Sequence, residues 1–259
     1  MHIELLTVQA AGPGSGAAAS AASGDSLIIK NDTSQRGPRI LDIIGDLNLT
    51  GSADLIRPTT GHDTTRDYKF VVSSDNLSSR VPDGLTLPLS AQENISVSIV
   101  GHTSATETVC FAIEYPNLRG IDQRLISWDQ LQARYKNLIT VDVTLTGAAA
   151  GYTGEELVTS ESNLLHAMTD YAVLGVVSDK NNVFYLRGPD TGNTKIPFPC
   201  QSAGTSYSDC YWPKMARMHG TSLIPVINSG NKDSTYIGFV QDGTNISPRV
   251  SFILAELKG

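Results

Sequence analysis

Residues 40–48 of the chain read ILDIIGDLN, and residues 173–181 read VLGVVSDKN. Both stretches run from apolar residues into a polar break that contains an aspartate and then an asparagine. The similarity continues in step, because residues 55–62 (LIRPTTGH) align with residues 185–193 (YLRGPDTGN) once one glycine is inserted. A repeat of about half the chain is much longer than the roughly 20–50 residues of a solenoid or propeller unit. The sequence therefore predicts two similar domains.

The composition favours short strands joined by many turns. Charged residues make up 17% and aromatic residues 7% of the 259 residues, whereas Gly, Ser, Thr, Asn and Asp are plentiful. The latter residues supply positive φ or local hydrogen bonds at chain reversals. A length of 259 residues accommodates two domains of ordinary size, each with its own core.

About eight strands are expected in each half, because alternating apolar and polar residues recur between turn signals. No βαβ rhythm is present, which argues against a parallel sheet. We therefore predict an all-β fold of two tandem eight-stranded antiparallel jelly rolls, or β-sandwiches, joined by a short helix. The predicted strands are residues 3–8, 26–30, 40–45, 53–57, 68–72, 85–89, 95–100 and 108–115, then 139–145, 157–159 with 163–168, 171–177, 183–187, 195–198, 221–228, 235–241 and 249–257.

The joining helix is expected at residues 127–136, with Ser127 as its N-cap, an acidic first turn and a basic last turn. Trp128, Leu131 and Tyr135 recur at helical spacing and would share one face. The predicted domains are residues 1–125 for the first jelly roll, 126–137 for the linker helix and 138–259 for the second jelly roll. A second helix at residues 161–168 competes with a strand there.

Two glycine- and alanine-rich runs, at residues 12–24 and 146–154, occupy equivalent places in the two halves. They contain few large side chains to bury and lose much entropy on ordering, so we expect exposed flexible loops.

Charge and cysteine content exclude some classes of function. With 19 basic against 26 acidic residues the net charge is -7, and the absence of basic runs argues against sequence-specific nucleic-acid binding. Three cysteines do not form a disulfide scaffold, although Cys200 and Cys210 are close enough in sequence to pair. No leader peptide or apolar span is recognised, so folding in a cytoplasm is expected.

The candidates for chemistry are few. Residues 61–67 (GHDTTRD) combine His62 with an arginine and two carboxylates, but metal-ligand spacing is missing and His62 aligns with Asn193 of the other half. Glu155 and Glu156 are neighbours that would point to opposite faces of a strand. No nucleophile elbow or phosphate-binding loop is present in the sequence. We therefore predict no catalytic residues, no metal site and no cofactor.

Tyr211 and Trp212, with Tyr207 nearby, are the candidate ligand-binding residues. Aromatic rings at a surface stack on sugar rings, which would make these residues a carbohydrate-binding patch. The other interpretation is a hydrophobic plug beneath a long loop.

Two tandem sandwiches joined by a short helix, in a small, acidic and cysteine-poor chain, resemble one family. They are similar to the double jelly-roll major capsid proteins of tailless icosahedral viruses, such as adenovirus and the membrane-containing bacteriophages. The resemblance covers essentially the whole chain and rests on architecture. Residues 10–24 and 199–213 would be modest insertions, so the chain would be a compact, bacteriophage-like member.

The resemblance implies a structural virion protein without enzymatic activity, made in the host cytoplasm and located in the capsid. Three copies would form a pseudo-hexameric homotrimer that contacts neighbouring capsomers in the shell. Minor capsid or penton proteins and an internal membrane would be further partners. The alternatives are a two-domain β-sandwich binding protein, such as a phage receptor-binding or carbohydrate-binding module, and a β-sandwich hydrolase that uses the loop around His62.

Overall fold

The computed structural model describes residues 1–11, 18–20, 23–25, 28–45, 51–57, 66–72, 81–92, 96–100, 106–147, 151–158, 165–180, 182–200, 210–241 and 246–259. Strands dominate these ranges, with two α-helices and short 3-10 helices at Pro189–Thr191 and Ser229–Ser234.

Within the described ranges, the first half of the chain contributes nine strands. They are β1 (His2–Ala11), β2 (Ala18–Ser20), β3 (Ser23–Gly24), β4 (Arg39–Gly45), β5 (Gly51–Arg57), β6 (Arg66–Val72), β7 (Leu87–Pro88), β8 (Ser96–Val100) and β9 (Thr106–Tyr115).

The second half supplies the remaining elements. They are β10 (Leu125–Ile126), α1 (Trp128–Arg134), β11 (Tyr135–Thr144), β12 (Gly151–Leu157), β13 (Asp170–Ser178), β14 (Asn182–Arg187), β15 (Ile196–Cys200), α2 (Tyr211–His219), β16 (Ile224–Asn228), β17 (Tyr236–Gln241) and β18 (Arg249–Leu257).

Each half forms two antiparallel sheets, and the strand order is the same in both halves. The first half has the orders β3-β1-β9-β4-β7 and β2-β8-β5-β6, and the second has β10-β16-β13-β18-β11 and β12-β17-β14-β15. The short strands β3 and β10 have no counterpart. The other strands correspond one to one in chain order, so that β11 to β18 occupy the positions of β1, β2, β4, β5, β6, β7, β8 and β9. The prediction of an all-β fold of antiparallel sheets is confirmed.

The sequence repeat coincides with this structural repeat. Residues 40–45 lie on β4, and residues 173–178 lie on β13, which occupies the equivalent place in its sheet. Phe111 and Phe252, which lie on the equivalent last strands β9 and β18 of the two halves, are both buried.

The core of the second half lies between its two sheets. Val176, Phe252 and Val141 are register partners across β13, β18 and β11 and point to one face. The Phe198 ring of the opposing sheet meets Phe252 edge to face, with ring centroids 5.2 Å apart. Such pairs add to the stabilisation from apolar burial, so this contact strengthens the packing of the two sheets.

The predicted helix is present, but it is shorter than expected. Ser127 forms a capping box with Gln130, in which Gln130 N donates to Ser127 Oγ at 3.2 Å and Ser127 N donates to Gln130 Oε1 at 2.9 Å. The helix ends at Arg134, because Tyr135 adopts extended backbone angles and begins β11. The prediction that Tyr135 shares a helix face with Trp128 is therefore wrong.

Some expected loops contain regular structure. Strands β2 and β3 lie inside the run 12–24, and β12 begins at Gly151 inside the run 146–154. Pairing with β8, β1 and β17 supplies the backbone hydrogen bonds that order these segments without large side chains. The expectation of loops there was wrong for the paired residues.

The sequence does not predict helix α2, because it favours a loop insertion at residues 199–213. Pro213 lies in its first turn, where the missing N–H costs no intrahelical bond. Of the proposed helix at 161–168, residues 161–164 lie outside the described residues, and residues 165–168 are not helical. The domain boundaries at residues 125 and 137 stay a prediction.

Candidate functional site at the junction of the two halves

One face of the large first-half sheet is buried against the second half of the chain. Alternation along β1, β4 and β9 turns Leu6, Ile43 and Phe111 into the first-half core, and it turns their neighbours to the opposite face. These neighbours are Leu5, Ile44 and Cys110, and they pack with Val183, Tyr185, Val240 and Tyr152 of the second half. Each of the three is 2% exposed or less.

This junction is therefore built from two dissimilar surfaces. The first half contributes the outer face of its large sheet, and the second half contributes strands β12, β14 and β17 of its four-stranded sheet. The two related modules consequently pack head to tail rather than face to matching face.

Hydrogen bonds along β1 fix the register of the junction. Leu5 N donates to Lys195 O at 2.8 Å. The Gln123 side chain accepts from Ile3 N and donates to Ile3 O, both at 2.7 Å, and its amide also lies 2.6 Å from Thr194 Oγ1. Because one amide side chain serves both halves, a shift of β1 along the second half would break several bonds together.

Tyr152 links three segments at the edge of the junction. Its hydroxyl donates to the Asp25 carboxylate and lies 3.1 Å from the Leu5 carbonyl oxygen. Burial, together with the Asp25 charge, raises the pKa of this phenol. Lys195 Nζ lies 4.0 Å from the Tyr152 ring centroid, and the Tyr185 ring meets Tyr152 edge to face at 5.3 Å.

Tyr211 and Trp212, the candidate ligand-binding residues, lie in α2 with no exposed surface. The Tyr211 hydroxyl donates to Asp42 Oδ2 at 2.9 Å, and Trp212 Nε1 donates to Pro197 O at 3.0 Å. Neither ring has a face open to a sugar in this chain. Their placement corresponds to the plug interpretation, and Tyr211 joins α2 to β4 of the first half.

The remaining sequence candidates do not meet at one site. His62 and its neighbours to residue 65 lie outside the described residues. Glu155 and Glu156 are exposed on the edge strand β12, as expected of solvated charges. Burial raises the pKa of Glu155, but the hydrogen bond and charge of Arg187, 2.7 Å away, outweigh it and hold that pKa below 4.5.

Within the described ranges, no three His, Cys, Asp or Glu side chains come together in a way that could hold a metal ion. Cys110, Cys200 and Cys210 are not joined in disulfide bonds, so the Cys200–Cys210 pairing considered above is not formed. In the part of the chain that is described, no helix combines the length and apolar character needed to cross a bilayer.

A cleft of about 630 Å³ beside the end of α1 was missed by sequence reasoning. Arg124 and Arg134 both reach the Asp170 carboxylate, at 2.7 and 3.4 Å, and Lys136 reaches the buried Glu256 at 2.6 Å. These pairs join α1 and β11 to β13 and β18. The basic residues lie close together in the sequence, but their partners Asp170 and Glu256 are distant from them, so only the fold brings these charges to one cleft.

The described residues thus define the class of protein: an all-β chain of two similarly ordered halves that share an extensive buried junction. No protein-family model matches the sequence, and no curated protein matches it. Among solved structures, the crystal structure of the STIV MCP, a major capsid protein, aligns over 100% of this chain and 97% of that chain. The sequence identity is 11% and the TM-score is 0.23, so this similarity supports no argument about function.

Proposed function

We propose that the chain is a structural virion protein, a double jelly-roll major capsid protein whose copies assemble into a shell. The observation that supports this proposal is the repeated strand order. With the short strands β3 and β10 left out of the numbering, the first strand of each half neighbours the last in one sheet, and the second neighbours the seventh in the other. Two four-stranded sheets connected in this way correspond to a jelly roll, an architecture common in viral capsids.

The duplication supports a trimer as the building block. Three copies of a chain with two similar halves supply six similar units, which can surround a threefold axis in a nearly sixfold arrangement. Such a capsomer tiles a hexagonal lattice with a single kind of chain. We therefore propose a pseudo-hexameric homotrimer that contacts neighbouring capsomers, with minor capsid or penton proteins and an internal membrane as further partners.

The buried junction suits this role, because a capsomer needs a constant angle between its units. The halves are joined by side-chain packing around Ile44, by the Gln123 hydrogen bonds and by the Tyr211–Asp42 hydrogen bond. Separation of the halves would expose all of these groups together, so the pair is expected to behave as one block.

The proposal includes no enzymatic activity, no sequence-specific binding to nucleic acid, synthesis in the host cytoplasm and a final location in the virion. The alternative of a carbohydrate-binding module relied on Tyr211 and Trp212. Because both rings are buried and hydrogen-bonded within the chain, no observation now favours it.

The test is the mass and shape of the purified full chain, measured by light scattering after size exclusion and by negative-stain microscopy. A trimer with a hexagonal outline, or shells and sheets, is the expected result. A monomer at every concentration examined, without particles in the images, would contradict the proposal.

A further inference from the structure

The buried face of the first half has an exposed counterpart in the second half. Ile44 is the register partner of Cys110 across β4 and β9, and Val177 is the register partner of Ser251 across β13 and β18. In both halves the next pair of residues points into the core and includes the central phenylalanine, Phe111 or Phe252. Val177 therefore stands in the second half where Ile44 stands in the first.

The two equivalent positions differ in what covers them. Ile44 is 0% exposed, because the four-stranded sheet of the second half lies over it. Val177 is 42% exposed, and it lines an open cleft of about 380 Å³ together with Asp142, Ser251 and Arg249. The second half thus presents the same sheet face without the module that covers it in the first half.

The composition of this face suits contact with a partner that arrives after folding. Register places Leu5 and Thr140 at equivalent positions opposite the last strand of each half. The buried first-half position is apolar, whereas Thr140 and Ser251 supply hydroxyl groups around the apolar Val177. Interfaces that form between folded proteins are no more apolar than the rest of the surface, so this mixture remains soluble before assembly.

We propose that the outer face of β11, β18 and β13 (hereafter the second-half face) binds the first half of another copy of this chain. The contact surface on that copy is the sheet β2-β8-β5-β6, since it is the counterpart of the sheet that covers Ile44. The contact between chains then repeats the head-to-tail contact within the chain. This inference rests on the proposed function and adds to it the two surfaces that meet.

Repetition of one head-to-tail contact generates a closed ring or an open filament, depending on the rotation between units. Alternation of the contact within the chain and the contact between chains uses both halves of every copy. A closed ring of three chains leaves neither the second-half face nor the first-half four-stranded sheet uncovered.

The test compares the Val177→Lys variant with the wild-type full chain by sedimentation velocity over a range of concentrations. The matched control is Leu85→Lys, which places the same charge on a first-half residue that is 60% exposed. Both positions are open enough to accept lysine, and circular dichroism of each variant verifies the fold. We expect Val177→Lys to raise the concentration needed for assembly by about tenfold or more, and Leu85→Lys to leave it unchanged.

The outcomes separate this inference from the function on which it rests. A wild-type protein that never assembles contradicts the proposed function and this inference together. If the folded Val177→Lys variant assembles as well as the wild-type protein, only the proposed role of the second-half face is overturned. Equal loss in both variants also overturns it, because the effect is then not confined to that face.

A photo-crosslinking residue placed at Ser251 provides a second readout. Mass spectrometry of the cross-linked protein, otherwise wild type, should find peptides that contain residues 18–20, 51–57, 66–72 or 96–100 of another copy. Cross-links confined to other parts of the chain would overturn the choice of contact surface.

Discussion

The Tyr211 hydroxyl of the second half donates a 2.9 Å hydrogen bond to Asp42 Oδ2 of the first half, and both residues are fully buried. Burial, followed by the nearby Asp42 charge, raises the pKa of the phenol well above 10, so Tyr211 is a hydrogen-bond donor at neutral pH. The bond connects α2 to β4 across 169 residues of sequence. The position of α2 therefore depends on contacts with both halves of the chain.

Tyr211→Phe removes this donor from a buried carboxylate. We expect the free energy of unfolding to fall by about 2–3 kcal/mol, the typical cost for a hydrogen bond to a charged group. Urea denaturation followed by tryptophan fluorescence measures the change. Tyr135→Phe is the control, because Tyr135 is 42% exposed and its substitution should change stability by less than about 0.5 kcal/mol. Equal effects of the two variants would contradict the role given to the bond.

Phe111→Ala and Phe252→Ala test the equivalence of the two halves. Both rings are at most 2% exposed, on strands at the same place in the order. Each substitution should destabilise the protein by about 3–5 kcal/mol, because a cavity replaces the ring. Phenylalanine to leucine at either position should cost less, since most of the volume is kept. Soluble, correctly assembled protein from both alanine variants, with unchanged melting temperature, would show that these residues are not the core.

Gly154→Ala and Gly151→Ala form a matched pair within β12. Both glycines have positive φ, +65° and +90°, so alanine strains the backbone at either position by about 1–2 kcal/mol. A Cβ at residue 154 would also overlap the Phe239 ring, whereas a Cβ at residue 151 meets nothing within 4 Å. Thermal unfolding should therefore show Gly154→Ala to be the less stable variant by about 1–3 kcal/mol. The reverse order would contradict the packing of Phe239 against β12.

His2 should make stability depend on pH. Its ring is fully buried beside Tyr115, and burial, followed by the positive charges of Lys30 and the chain's first residue, lowers its pKa from 6.5 to about 3. The unfolded chain therefore takes up the proton first. Stability is lost as the pH falls from 6.5 towards 3, by at most about 1.4 kcal/mol per pH unit from this group.

The His2→Leu variant isolates this contribution. Urea denaturation at about pH 7 and about pH 4.5 gives the change in unfolding free energy for each protein. The wild-type protein should lose more stability than His2→Leu over this interval. Parallel losses in the two proteins would show that His2 does not titrate differently in the folded and unfolded states.

Sequence reasoning succeeded where short-range pattern and backbone chemistry coincide. The alternation of apolar residues located the strands around Ile43 and Phe252, and the Ser127 capping signal located α1. The internal repeat correctly aligned β4 with β13 before any strand order was known. Sequence reasoning failed at α2, and at the strands β2 and β12. These elements are stabilised by contacts with distant segments rather than by local propensity.

The sequence by itself determined an all-β chain with an internal duplication, because period-two alternation and turn residues act within a few positions of one another. Only the tertiary structure decided that Tyr211 and Trp212 are core residues, and that Ile44 is covered while its counterpart Val177 is not. The equivalent strands β4 and β13 share the same apolar pattern, so this pattern cannot show which of them is covered. Their burial depends on which module lies against each sheet, and for Ile44 the covering residues are all more than 100 positions away in the sequence.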